Sequence, residues 1–443
     1  MAPDVYDEAD PYLPAEEPPE HDTTGLTDLT APPWSSRDSL RVTAVRAVVT
    51  APEAIPLVVV KVETSEPGLY GLGCATFTQR FAAVAAAVER HVTPLVVGRH
   101  PADIEDITRM VHLSSYWRDG PVLNNALSGL DMALWDIAGK RAGMPVHELL
   151  GGQVRAAVPT YAHASGRDVE ETLDDARRLL EAGWRHVRLQ TGQPGEGAYG
   201  VLPWEGAGYP ERPHEKGWDV DAYLRSTPAL FAAARESLGD GVELLHDVHS
   251  RLTPKNAVRL ARALEPYGLF FLEDVVPPDH YDRLPEIRAA SPVPLAVGEQ
   301  FSSMPTAVRA VRDLGVDFLR VHVSAIGGLT PARKLTAMCE LVGVQTAWHA
   351  PGDVSPVGVA ANVALDVSTH AFGIQECHQY ADAVHDVFPG TPVVVNGHLW
   401  PTSEPGWGVD LDETAAARFP PSRFAFERWA LRVRGTDGSL FAP

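Results

Sequence analysis

From about residue 156 the chain alternates short apolar runs with stretches of helical period. Runs at 158–164, 186–190, 242–249, 269–274, 295–299, 318–323, 345–350 and 372–376 read as buried strands. Between most of them lie amphipathic patterns, at 169–182, 221–238, 255–265, 304–314 and 331–342. Eight such strands with crossover helices predict a parallel (β/α) barrel of the α/β class. Ahead of them, runs at 41–49, 56–64 and 68–74 read as a small antiparallel meander. Helical patterns follow at 81–97, 102–112 and 123–142, the last ending before Gly143. The expected order is an acidic disordered tail (1–38), an α+β capping domain (39–155), a barrel (156–390) and a segment packing back on the cap (391–443). One stretch, 191–218, breaks the rhythm with Gly, Pro, Tyr199, Trp204, Tyr209 and His214. A long loop after the second strand sits at the barrel mouth, as a lid or an oligomer contact.

Charge narrows the partners. With 443 residues, 21% charged and a formal net charge of −21, the chain is ill suited to nucleic acid or anionic membranes. An anionic small substrate stays open, because a metal can reverse the local sign. Cys74, Cys339 and Cys377 are too scattered for a disulfide framework or a metal knuckle. No apolar run reaches the ~18 residues of a membrane span. The start Met1-Ala2-Pro3-Asp4 lacks a basic, apolar leader, so the expected location is the cytoplasm.

The chemistry gathers at the strand ends. Asp247, Glu273 and Glu299 each close an apolar run, and the gaps are equal: 273 − 247 = 26 and 299 − 273 = 26. Consecutive strand–helix units of that period bring the acids together at one barrel end, where their repulsion calls for a divalent cation, Mg2+. Asp247 and His249, at i and i+2 of one strand, point the same way. Arg188 closes the second strand, and Tyr199 lies eleven residues on. A guanidinium lowers a phenol from its usual value near 10, so this pair could abstract a proton. Arg320, His349 and Glu376 close later strands. Only five lysines occur (Lys61, Lys140, Lys216, Lys255, Lys334), none at a barrel strand end, which disfavours lysine-base chemistry. Gly71-Leu72-Gly73 is too small a fragment to mark a dinucleotide site.

Several stretches resemble the enolase superfamily, and within it the mannonate dehydratase subgroup. They include Leu130-Asp131-Met132-Ala133-Leu134-Trp135-Asp136, Leu245-His246-Asp247-Val248-His249, Val297-Gly298-Glu299, Gly327-Gly328-Leu329-Thr330 and Gly373-Ile374-Gln375-Glu376. The resemblance implies a modified (β/α)8-type barrel, (β/α)7β, under an α+β cap. It implies Mg2+ on Asp247, Glu273 and Glu299, holding the carboxylate of a sugar acid such as D-mannonate or D-gluconate. Tyr199 with Arg188 would take the C2 proton, and His249 would protonate the departing 3-hydroxyl. His163, Arg320, His349, Asp353, Glu376, Thr78 and Trp407 would line the substrate. A 2-keto-3-deoxy acid would result, and the resemblance implies a dimer-based homo-oligomer, up to an octamer. Three positions depart from the subgroup: Thr78 stands where Asn is common, Pro351 follows His349 closely, and Trp407 replaces Leu. These departures imply low efficiency, and they keep open a non-catalytic sugar-acid-binding role. A racemase reading needs opposed bases, which the absence of a strand-end lysine disfavours.

Overall fold

The computed structural model describes residues 38–192, 218–422 and 439. The acidic tail and most of the 191–218 loop, Tyr199 included, lie outside the described residues.

The cap is built on strands β1 (Val42–Thr50), β2 (Leu57–Thr64) and β3 (Tyr70–Cys74), antiparallel in that order. The β2 run is almost wholly apolar because both faces are buried. Val58, Val60 and Val62 pack with Leu130, Ala133 and Leu134 of the helix Pro121–Ala142, while Leu57 and Val59 join the barrel core. That helix starts with proline, ends at Gly143 in the left-handed region (φ 65°), and is buried over most of its length because it is sandwiched, with Asp131 and Asp136 among its buried positions. A Cβ on Gly71 would fall 1.9 Å from the Ala133 carbonyl oxygen, so the glycines of Gly71-Leu72-Gly73 let the strand approach the helix.

The barrel strands are β4 (Val158–Gly166), β5 (His186–Thr191), β6 (Glu243–Asp247), β7 (Phe271–Glu273), β8 (Leu295–Val297), β9 (Phe318–Leu319), β10 (Gln345–Thr346) and β11 (Gln375–Glu376). Each from β4 to β9 pairs in parallel with the next. Closure comes from β11 on β4 and a parallel bridge between Thr346 and Phe372. Seven helical crossovers link eight strands, which is a (β/α)7β barrel. The hairpin β12 (Val394–Val395) and β13 (His398–Leu399) adds antiparallel to β4. Beyond it Glu413 reaches the cap, 2.6 Å from Arg46 and 2.7 Å from Lys61.

Inside the barrel, Tyr161, Leu245, Phe271, Ala296, Phe318, Ala347 and Ile374 form one packed apolar layer. Strand alternation then dictates what stands above it. Two residues further on, His163, Asp247, Glu273, Arg320, His349 and Glu376 face the same interior.

The paired strands are shorter than the apolar runs suggest. β6 ends at Asp247, and His249 and Ser250 follow with φ of 55° and 61°. His249 is therefore not on the strand with Asp247, as its i+2 spacing implies; a left-handed turn sets its direction. Likewise β8 ends at Val297, and Gly298 (φ 142°) turns the chain to Glu299.

Candidate active site

Two arginines organise the polar layer. Arg320 is fully buried. Its guanidinium lies 2.6 Å from Glu376, 3.0 Å from Glu299, 3.1 Å from Glu273 and 3.6 Å from Asp274, and its Nε donates to Tyr161 Oη at 3.2 Å. Arg188 donates to Glu273 through a short contact and lies 3.5 Å from both Asp247 and Glu376. His163 links the two halves, with Nδ1 3.2 Å from Arg188 Nη2 and Nε2 2.9 Å from Glu376 Oε1. The neutral Nε2–H tautomer satisfies both contacts, since Nδ1 then accepts and Nε2 donates.

Six carboxylates (Asp247, Glu273, Asp274, Glu299, Asp353, Glu376) gather against two guanidinium groups, an excess of four formal negative charges. Their responses differ with place. Burial pushes Glu273 up to about 8, against the pull of Arg188 and Arg320. Asp274 rises well above the usual carboxylate range through burial and the charge of Glu299. Asp353 rises to about 7 by burial, then by Glu299 and Glu376. Burial also opposes ionisation of Asp247 and Glu376, but Arg188 at the first and Arg320 at the second hold both below their ordinary values. Buried acids that cannot all ionise mark a place where a cation would be welcome.

Among the described residues, Glu273, Asp274 and Glu299 form a group of acids each offering an oxygen within 4.8 Å of the others. Asp247 sits beside Glu273 in strand register and turns its carboxylate toward Arg188 and the His249 backbone N–H (2.6 Å). Asp274 is a residue that the spacing argument missed. On an ideal strand it would face away from Glu273, but its φ of 42° turns it back toward the cluster. This all-oxygen set suits a hard divalent cation such as Mg2+.

The remaining candidates divide. His249 Nε2 lies 3.9 Å from Glu299, and His349 Nε2 lies 3.4 Å from Glu299 and 4.0 Å from Glu376. Asp353 offers an oxygen within 4.8 Å of ring nitrogens of His322 and His349. Thr78 is buried and donates to the Pro56 carbonyl at 3.2 Å, bracing the loop between β1 and β2. That loop touches the barrel, since a Cβ on Gly352 would meet Ile55 at 3.2 Å, and Glu53 accepts from the Ala381 backbone N–H. Trp407, expected to line the substrate, sits in a packed seam. It is 2% exposed, its indole N–H reaches the Leu72 and Met132 carbonyls at 3.0 and 3.2 Å, and its backbone N–H donates to Asp136. Its bulk fills the seam between cap strand, cap helix and C-terminal segment. His246 is likewise structural, held between Tyr223 Oη (2.6 Å) and the Leu189 carbonyl (2.9 Å) on the outer face of β6. Tyr161 and His322, not singled out in the sequence, belong to the polar layer's surroundings, and both follow its alternation with His163 and Arg320.

A parallel barrel under an α+β cap, with acids and arginines on its inner strand ends, defines an enolase-type architecture. The family models agree: residues 32–151 match the mandelate racemase/muconate lactonizing enzyme N-terminal domain, and 171–415 match the enolase C-terminal domain-like family. A D-galactonate dehydratase family member from Catenulispora acidiphila is 69% identical over 422 residues, covering 95% of this chain and 98% of that protein. Another from Pantoea ananatis is 46% identical over 417 residues, 91% of this chain and all of the relative (100%). A crystal structure of an enolase from Pantoea ananatis with bound D-gluconate and Mg superposes with a TM-score of 0.85 at 46% identity, covering 91% of this chain and 100% of that one. The chain belongs to the enolase superfamily and, within it, to the D-galactonate dehydratase family. Among the described residues no helix is long and apolar enough to cross a membrane.

Proposed function

We propose that this protein is a Mg2+-dependent hydro-lyase that removes water from an aldonic acid, D-mannonate or D-gluconate, giving a 2-keto-3-deoxy acid. The observation that carries the reading is the excess of buried carboxylates at the barrel mouth with His249 beside them. The D-gluconate and Mg of the Pantoea ananatis structure support it.

When bound, Mg2+ supplies the charge that holds the substrate carboxylate and stabilises the negative charge left as the C2 proton departs. Glu273 and Glu299 would hold it, with Asp247 as the third ligand expected from strand spacing and Asp274 as the nearer carboxylate. Tyr199, which lies outside the described residues, would take the proton with Arg188 assisting. His249 would deliver a proton to the departing 3-hydroxyl; its backbone is fixed by the turn and by Asp247 Oδ1. Arg320 and Glu376 are the rigid floor, a buried pair that keeps neighbouring acids at fixed separation. His349 and Asp353 would position the polyol. The protein would work as a dimer-based homo-oligomer, as the family resemblance implies.

The test is an assay of purified protein with Mg2+ over a panel of aldonic acids, reading keto-deoxy product. Turnover of D-gluconate or D-mannonate supports the reading. Binding without product from any acid overturns it and leaves a sugar-acid-binding role.

A further inference from the structure

A second cavity, of about 530 Å³, opens in the crease where the cap helices Ile104–Ser114 and Pro121–Ala142 meet the barrel helices Met304–Asp313 and Leu329–Val342. No described residue of the mouth's polar layer lines it. Leu127, Met304, Ile326 and Pro331 supply an apolar wall, and Glu105, Arg109, His112, Arg118, Asp119 and Lys334 supply the charged part. Small-molecule sites of roughly 300–1,000 Å³ combine such walls with a few convergent polar groups.

The charges are not equally committed. Glu105 is already neutralised, with Arg333 at 3.0 Å and Lys334 at 2.6 Å. Among the described residues, Arg109 and Arg118 form no ion pair and no side-chain hydrogen bond. Burial holds the His112 ring below its usual value, opposed by Asp119 and reinforced by Arg109 and Arg118, so both guanidinium groups stand near one imidazole. Three cations against two acids make the lining positive in a chain of net charge −21.

The loop between the two cap helices is set for this role. It holds Tyr116 and Asp119 at φ of 60° and 72°, left-handed values uncommon outside glycine, and such strain gathers at ligand clamps. The loop is tied to the barrel. The Gly120 backbone N–H donates to the Ser302 carbonyl at 3.1 Å, and Asn124 Nδ2 donates to the Ser302 and Ala325 carbonyls at 2.7 and 2.9 Å. Arg118 is therefore presented on a fixed backbone, which lowers the ordering cost of binding. Both arginines are exposed, so water solvates them. A neutral ligand covering them would strip that water and return nothing, a cation would be repelled, and an anion would pair.

We propose that this crease binds a small amphipathic anion, a carboxylate or phosphate carried on an apolar body, with Arg109 and Arg118 at the charged head and Leu127, Met304, Ile326 and Pro331 around the body. The ligand touches cap and barrel at once. It binds only their assembled arrangement, so the unfolding midpoint rises with its concentration.

The test is calorimetry on the full chain with three probes: 1-naphthyl phosphate, 1-naphthoate and the neutral 1-naphthalenemethanol. Both acids are expected to bind, the tighter one naming the head group, and the alcohol should bind at least about 10-fold more weakly. Arg109→Gln and Arg118→Gln, at exposed positions, should each weaken acid binding on the order of 10-fold and leave the alcohol unchanged. Met304→Trp, which fills the apolar part, should weaken all three. Each acid should raise the unfolding midpoint of wild type and not that of the double arginine variant. Failure of both acids to bind at millimolar concentration overturns the proposal, as does wild-type affinity in the double variant. Displacement of the acids by D-gluconate with Mg2+ would put them in the barrel mouth and overturn the site.

Discussion

Trp407 offers a direct contest between sequence spacing and packing. Read from the chain, a tryptophan where relatives of the mannonate subgroup have leucine should crowd the sugar acid. Read from the structure, Trp407→Leu should cost stability and leave ligand recognition alone. The magnitude follows from what the side chain does. Truncating a buried aromatic to alanine costs about 3–5 kcal/mol, and leucine restores roughly half of the lost volume, so about 2 kcal/mol is the packing share. The indole N–H also leaves two buried carbonyls, Leu72 and Met132, each short of one acceptor contact. Because a carbonyl has two lone pairs, this adds only about 1 kcal/mol. The backbone bond to Asp136 is untouched by the substitution. Thermal unfolding of Trp407→Leu should therefore shift down by several degrees, while D-gluconate affinity with Mg2+ present, measured by calorimetry, should stay at the wild-type value. Unchanged stability together with a ten-fold or larger change in affinity, about 1.4 kcal/mol, would refute the packing argument and restore the substrate-facing reading.

The other expected outcomes address the cluster and its support. Arg320→Met leaves Glu273 and Glu376 with Arg188 as their remaining guanidinium and should destabilise by about 3–5 kcal/mol, read as a loss of soluble folded protein or a large drop in unfolding midpoint. Asp247→Asn and Asp274→Asn separate the two candidates for the third metal ligand: the variant with the larger fall in Mg2+ affinity by calorimetry names it, and equal affinities to wild type in both would remove both from the site. Asp131, between cap and barrel, accepts from the Thr330 backbone N–H, and burial raises it to about 7 from 3.8. The folded state thus keeps a proton that the unfolded chain releases, so this group's contribution to stability falls as pH rises from about 4 to 7. Asp131→Asn has no such titration, so wild type should lose stability relative to the variant over that window; parallel melting curves against pH would contradict the assignment.

Much of the arrangement was legible because a barrel turns one-dimensional alternation into a ring. Once Phe271, Phe318 and Ile374 are inward, Glu273, Arg320 and Glu376 must be inward too, and each of these was readable as the polar end of an apolar run. The same rule would have found Tyr161 before His163 and His322 after Arg320. What alternation cannot carry is a turn with positive φ. Asp274 and His249 owe their directions to φ of 42° and 55°, uncommon for residues other than glycine, and nothing in the neighbouring sequence announces them. The packing of Trp407 was illegible for a different reason: its surroundings come from β3 and the helix Pro121–Ala142, hundreds of residues earlier, and only the assembled seam reveals that its N–H is already used.

Equal spacing of Asp247, Glu273 and Glu299 consequently measures the repeat of the barrel and not the geometry of a metal. A 26-residue period guarantees that three strand ends are neighbours. It leaves undetermined which oxygens converge, because that depends on the last one or two residues after each strand. In this chain Arg188 draws Asp247 to one side, while Gly298 and the turn at Asp274 bring Glu299 and Asp274 toward Glu273. The guanidinium that would assist proton abstraction at Tyr199 is thus the same group that holds one expected ligand off the closest carboxylate trio. A cation entering that trio would compete with Arg188 for Glu273, so metal affinity and the placement of Arg188 are coupled through a single carboxylate. Arg188→Lys, with a compact charge in place of a fork, should change Mg2+ affinity even though residue 188 is not a ligand. Calorimetry giving the wild-type affinity for that variant would show the coupling to be absent.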